Sequence, residues 1–244
     1  MRVKARSGTA RGPRHHGEPG ADLEGSSIPS APKKAAPRKL SRIQAVNRAR
    51  ILEAALETFS QHGFRGATLD QIAEASGLSK PNLIYYFDGK EAILLALLDS
   101  LMETWLAPLI EVDDSGEPLD EILTYIARKM EMSREYPRES RLFAGEVIQG
   151  APRMMGHLET GLKPLFDEKC ALIGRWMDQG RLARTDPAQL MFSIWAVTQH
   201  YADFDAQVQL LAGQGPDVWT AAQAHVELMF RRLLTPGAAA GGPV

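Results

Sequence analysis

The chain has 244 residues, 44% of them hydrophobic and 24% charged, enough for one or two domains with a sizeable core and ordinary for a soluble globular protein. No run is read as a transmembrane span, and the basic start is not followed by the apolar segment of a secretory signal, so the expectation is a cytoplasmic protein with no membrane partner. The single cysteine, Cys170, excludes an internal disulfide, and among Phe166, Lys169 and Ile173 it reads as a small packed residue rather than a nucleophile. The formal net charge of −2 conceals an asymmetry, with +6 on residues 1–40, +1 on 41–90 and −9 on the remainder. A basic arm, a near-neutral head and an acidic body suit a protein that docks one end on a polyanion, although solvated charge explains the acidic part equally well.

Residues 1–40 are rich in Arg, Lys, Pro, Gly and Ser and poor in large apolar side chains, so they cannot bury enough surface to offset ordering entropy. They read as a disordered basic arm, which can lie along a DNA backbone or in its minor groove; a solvated leader explains it as well. From Arg42 to His62 the period is helical, with Ile51, Ala55 and Phe59 on one stripe, Leu52 and Leu56 beside it, and Gly63 as the stop. Arg42 and Arg48 are candidate phosphate contacts at the end or outer face of this helix.

Residues 68–91 then read as two short helices around a tight turn, followed by the start of a third. Thr68 is a good N-cap, Leu69, Ile72 and Ala73 share a face, and Gly77 can take the positive φ that ends such a helix. Ser79 caps the second helix, Lys80 and Pro81 lie in its first turn, and Leu83, Ile84 and Phe87 are its expected buried side. That leaves Lys80, Asn82, Tyr85 and Tyr86 facing outward. This is the helix-turn-helix pattern, whose second helix reads base edges in the major groove from its N-terminal part. Asn82, Lys80 and Tyr85 are assigned to bases, and Thr68, Ser79, Tyr86 and Lys90 to phosphates. Asp88-Gly-Lys-Glu91 reads as a capping-box variant in which Lys90, beside free backbone N–H groups, makes an anion site. A plain helical hairpin with a capped turn would satisfy the turn alone. The runs Thr-Leu-Asp-Gln-Ile-Ala, Gly-Leu-Ser-Lys, Leu-Ile-Tyr-Tyr-Phe and Lys-Glu-Ala-Ile-Leu, in this order and spacing from about Arg48 to Leu97, resemble the DNA-binding domain of TetR-family transcriptional regulators.

The fourth helix starts at Gly89, runs through Ile93, Leu97, Leu101 and Trp105 to Pro108, and joins the head to the rest. Helical patterns follow at roughly 119–134, 137–149, 152–179, 187–211 and 217–234, with Pro164 expected to kink or break the third of these. The expected fold is therefore all-α: a head of three helices at 41–90, a ligand-binding and dimerisation domain at 91–235, and a frayed tail at 236–244. The last two long helices are apolar over more than one face, as helices that pair with a second copy are, and the resemblance implies a four-helix homodimer interface there. A homodimer also fits a near-palindromic double-stranded DNA operator, whose half-sites lie about 34–36 Å apart.

Polar residues interrupt the apolar helix at 187–211. Trp195 and Gln199, four apart, share a face, and a carboxamide offers C=O and NH₂ side by side, the complement of the adjacent N–H and C=O of a pyrimidine such as uracil. Thr198, Gln199 and His200 satisfying backbone or interface groups is the plainer alternative. Trp105-Leu-Ala-Pro108, Ser133-Arg-Glu-Tyr136-Pro, Ser140-Arg-Leu-Phe143, Gly150-Ala-Pro152, Asp167-Glu-Lys169 and Trp195-Ala-Val-Thr198-Gln199-His200-Tyr201 resemble the ligand domain of TetR-family regulators of pyrimidine utilisation, which respond to uracil. That resemblance implies a small-molecule effector held by Trp105, Phe143, Trp195, Thr198 and Gln199, and no cofactor. Enzyme motifs such as Gly-x-Ser-x-Gly, a P-loop or Cys-x-x-Cys are absent from the sequence, and His200 with Asp203 gives only two metal ligands. The expected function is a ligand-responsive repressor whose DNA binding is released by effector. A regulator of another pathway with an unrelated effector is the alternative, and a DNA-organising protein without ligand the remote one.

Overall fold

The computed structural model describes residues 41–237, all of whose regular elements are helices; the arm expected at 1–40 and most of the expected tail lie outside the described residues. Helix α1 spans Arg42–Gly66, α2 Leu69–Ser76, α3 Lys80–Tyr86 and α4 Lys90–Glu111. The body continues with α5 Pro118–Glu135, α6 Pro137–Ile148, the short α7 Met155–His157, a π-turn at Leu158–Leu162, α8 Lys163–Asp178, α9 Pro187–Asp203, α10 Asp205–Ala212 and α11 Pro216–Leu234.

The head is set by caps. Ser41 accepts from Gln44 N at 3.2 Å while the Gln44 carboxamide accepts from Ser41 N at 2.9 Å, and Thr68 with Gln71 repeats this reciprocal box at α2. Gly63 does not stop α1 outright. It takes φ 65 and kinks the helix, which runs on to Gly66. Around the head core of Ile51, Ala55, Phe59, Ile72 and Leu83 pack Phe87, Leu94, Leu98 and, from the body, Leu142 and Met154. Ile84, expected inside, is 48% exposed: α3 is only two turns long, so Leu83 and Phe87 suffice to seat it and Ile84 falls on the outer face. No capping box forms at Asp88, because Gly89 is the N-cap of α4 and no side chain bonds there.

Helix α4 is apolar almost all round because it serves two cores. Its first half, Ile93 to Met102, lies in the head core, whereas Leu109 packs with α5, α8, α9 and α11 around Ile126, Trp176, Ile194 and Phe230. In length and composition α4 does meet the requirement for a membrane span, contrary to the sequence expectation. Its apolar residues Ile93, Leu94, Leu98, Leu101 and Met102 are instead buried in the protein.

Two expected helices are broken. Pro164 cannot donate a backbone hydrogen bond, and the stretch expected to be helical from 152 opens into the π-turn just before it. The helix expected to reach residue 211 stops at Asp203, where the chain turns through Phe204 (φ −112, ψ 28) while the Asp203 carboxylate accepts from Ser140 Oγ at 2.6 Å. Neither Gly nor Pro marks that break, so periodicity alone runs through it.

Candidate DNA-reading face and effector cavity

The turn between α2 and α3 is closed from both sides. Gly77 lies in the left-handed region at φ 66, ψ 27, and Leu78 N returns to Ala73 O at 3.0 Å. Arg50 reaches over from α1 to donate to Ser76 O at 2.8 Å, and a Cβ on Gly77 would come within 2.9 Å of its Nη2. Helix α3 is thereby held with its N-terminal part in solvent. Lys80, Asn82 and Tyr85 are all exposed. Lys80 pairs with Asp70 at 3.0 Å between exposed side chains, a contact that contributes little and exchanges readily for a better anion. The Asn82 carboxamide makes no hydrogen bond to the described residues, its backbone N alone donating to the Ser79 cap at 3.4 Å.

The two tyrosines stand edge to face with ring centres 5.1 Å apart. Tyr85 Oη accepts from Gln44 Nε2 at 3.0 Å and Tyr86 Oη from Asn47 Nδ2 at 3.1 Å, so both phenols are oriented by acceptance and keep their protons for another acceptor. Gln44 and Asn47, which aim them, were not among the residues expected from sequence; they lie three apart on the polar side of α1. Arg42 is exposed, Thr68 and Ser79 cap their helices, and Arg48 is half-buried with its guanidinium 5.1 Å from the Phe87 ring centre. Lys90 differs from expectation. Its ammonium donates to Phe64 O at 2.7 Å and Ala67 O at 2.9 Å and lies 4.6 Å from the Phe64 ring centre, so it caps the C-terminal end of α1 instead of standing free for a phosphate.

In the body, α4, α5, α6, the π-turn and α9 enclose a cavity of about 250 Å³. Trp105, Phe143, Trp195 and Gln199 all line it. Trp105 and Phe143 form a nearly parallel pair, interplanar angle 12°, while Trp195 is fixed by its Nε1 donating to Tyr125 Oη at 2.7 Å. The Gln199 carboxamide has no hydrogen-bond partner among the described residues, although it is partly buried at the cavity wall. Thr198 is the correction: it is fully buried, turns away from the cavity and donates to Ile194 O of its own helix at 2.8 Å. His200 stacks on Phe204 with centres 5.1 Å apart, and no group of three metal-ligating side chains occurs among the described residues.

Sequence reasoning missed Tyr125 and Lys129, one turn apart on α5, which also line the cavity. The signal was available as a lysine on the stripe of Ile122, Ile126 and Met130, where a solvated cation does not belong. Burial pushes the Tyr125 phenol up and pulls Lys129 down to about 7, the Asp203 charge opposing the second shift in part.

Residues 51–97 match the model of bacterial regulatory proteins of the tetR family, and residues 98–237 match that of the C-terminal region of YcdC-like proteins. The chain is 51% identical over 175 residues to the HTH-type transcriptional regulator RutR of Escherichia coli K12, covering 72% of this chain and 82% of that protein. Among solved structures, AibR in complex with isovaleryl coenzyme A and operator DNA has a TM-score of 0.64 at 18% identity, covering 78% of this chain and 99% of that one. KstR2, a ketosteroid transcriptional regulator of Mycobacterium tuberculosis, also gives 0.64, at 17% identity over 77% of this chain and 94% of that one. At such identities these two likenesses show the fold alone. The chain belongs to the TetR family of bacterial transcriptional regulators and is a DNA-binding regulator, not an enzyme.

Proposed function

We propose that this regulator is a homodimeric repressor that senses uracil or a closely related pyrimidine in the cavity of α4, α5, α6 and α9, and that effector binding releases it from a near-palindromic operator. The observation that carries the reading is the unbonded Gln199 carboxamide at the wall of a small, largely apolar cavity beside flat aromatic faces. A carboxamide in that setting is free to pair, and a planar ring with adjacent N–H and C=O complements both its halves. At about 250 Å³ the cavity falls below the ~300–1,000 Å³ of pockets for drug-sized ligands, which favours a single ring. The 51% identity to RutR and the resemblance of the ligand-domain motifs to pyrimidine-utilisation regulators support the same choice.

Release follows from how the cavity is tied to the head. Helix α6 brings Phe143 and Val147 to the cavity, and from the same helix Leu142 enters the head core. Arg138, at its start, holds Glu53 at 2.9 Å and Glu57 at 2.8 Å on α1. Helix α4 does likewise, through Trp105 at the cavity and Ile93 in the head. A ligand that prefers one setting of α4 and α6 biases the setting of the reading helix, and by linkage operator binding weakens ligand binding equally. The second copy belongs on α9 and α11, where Phe192, Leu228, Met229 and Leu233 stand 36% to 48% exposed.

Isothermal titration of the purified protein with uracil, a purine serving as control, tests the reading. Saturable binding is expected, weakened at least tenfold in Gln199→Ala because a ligand amide edge is left unpaired, a cost of about 1–3 kcal/mol. Absence of heat at every accessible concentration contradicts the effector assignment.

A further inference from the structure

The face of the Trp105 ring is the polar-capable neighbour that the fold gives Lys129. The lysine side chain is 2% exposed, makes no hydrogen bond or ion pair among the described residues, and lines the cavity with its Nζ 5.4 Å from the Trp105 ring centre. A buried ammonium without a hydrogen-bonding partner is costly, and a ligand acceptor would offset that cost. Of the two cavity indoles, Trp195 is satisfied by Tyr125, whereas Trp105 Nε1 is sealed within the packing with no hydrogen-bond partner. An unmatched cationic donor at the wall of a small, largely apolar space defines a site short of an acceptor.

We propose that Lys129 is the acceptor-recognising group of the effector cavity, and that the effector presents an electron-rich oxygen, an imide carbonyl or a carboxylate, to Lys129 Nζ. This rests on the cavity being the effector site and states what that site selects for. The surroundings of Lys129 leave the ligand to provide the compensating charge density. From α9 the group that acts on it is Asp203, already engaged by Ser140 of α6 at 2.6 Å. From α5 itself Tyr125 is held neutral by burial, and from α4 and α6 the cavity residues Trp105 and Phe143 are uncharged. Because burial leaves Lys129 half-neutral near pH 7, binding an acceptor draws a proton from solvent onto Nζ, and ligand affinity is coupled to proton uptake.

The test is titration calorimetry of the full chain with uracil, orotate and benzoate at pH 8, in phosphate and in Tris, whose different ionisation heats report the protons exchanged. The expected result is uptake approaching one proton per site for each probe that binds, with uptake abolished and affinity reduced tenfold or more in Lys129→Met. That variant keeps the chain length and removes an unmatched charge, and Lys129→Gln with a melting curve for each guards against a folding artefact. Uracil failing to bind while orotate or benzoate binds through Lys129 would sink the uracil reading and leave this one standing. Binding without proton uptake, binding undiminished in both variants, or no binding by any of the three overturns it.

Discussion

Lys129→Met is expected to stabilise the ligand-free protein at pH 6 by a few kcal/mol, and to remove the rise in stability with pH expected of the natural chain between about 7 and 10.5. The sign follows from the direction of the shift. In the unfolded chain Lys129 holds its proton up to its ordinary value of 10.5, whereas in the fold burial pulls it to about 7. Between those limits the unfolded state binds more protons, so raising the pH favours the fold, and lowering it through 7 costs the full price of burying the charge. Methionine fills the same space without that cost. Urea unfolding at pH 6, 8 and 10 reads the effect directly; equal pH slopes in the two proteins would mean that Lys129 is solvated in solution. A residue that weakens the resting protein and strengthens its complex makes effector binding stabilising as well, so the melting temperature should climb with ligand.

Asn82→Ala is the second substitution with a large expected effect. The carboxamide is exposed at the N-terminal end of α3 and unbonded, and a bidentate contact to a base is worth about 1–3 kcal/mol, so affinity for the operator should fall roughly tenfold to a hundredfold. Affinity for unrelated duplex and the salt dependence should hardly change, since no phosphate contact is lost. Arg42→Ala supplies the contrast: binding weakens to all sequences alike, and the slope of log affinity against log salt drops by about 1. Anisotropy titrations on a duplex selected by the natural protein from random sequences measure both. An Asn82→Ala protein that keeps full operator affinity would move the reading residues elsewhere on α3.

The turn at the centre of the head was legible in the sequence, although the expected capping box at Asp88 and the expected burial of Ile84 were not realised. Thr68 and Ser79 are capping residues in capping positions, Gly77 is suited to the left-handed turn, and α2 and α3 fall within the expected limits. Long-range choices were not legible. Lys90 looked free because the sequence does not tell that the end of α1 returns to it, 23 to 26 residues away. The break at Phe204 lies beside a bond from Ser140, 63 residues before Asp203, and Thr198 faces inward because the helix phase set by Ile194 and Ala202 buries it. At the cavity, Trp195 and Gln199 are one turn apart and announced themselves, whereas Trp105, Phe143 and Lys129 meet only through the packing of three helices.

In the proposed switch, one small cavity in the body controls the reading head. The most direct measurement is operator anisotropy with the full chain held at half-saturation while uracil is added, run in parallel with Gln199→Ala. Uracil is expected to lower the bound fraction saturably in the natural protein, while the variant stays on the operator at the same concentrations. A natural protein that binds uracil by calorimetry yet holds its operator unchanged at saturating uracil would contradict this switch.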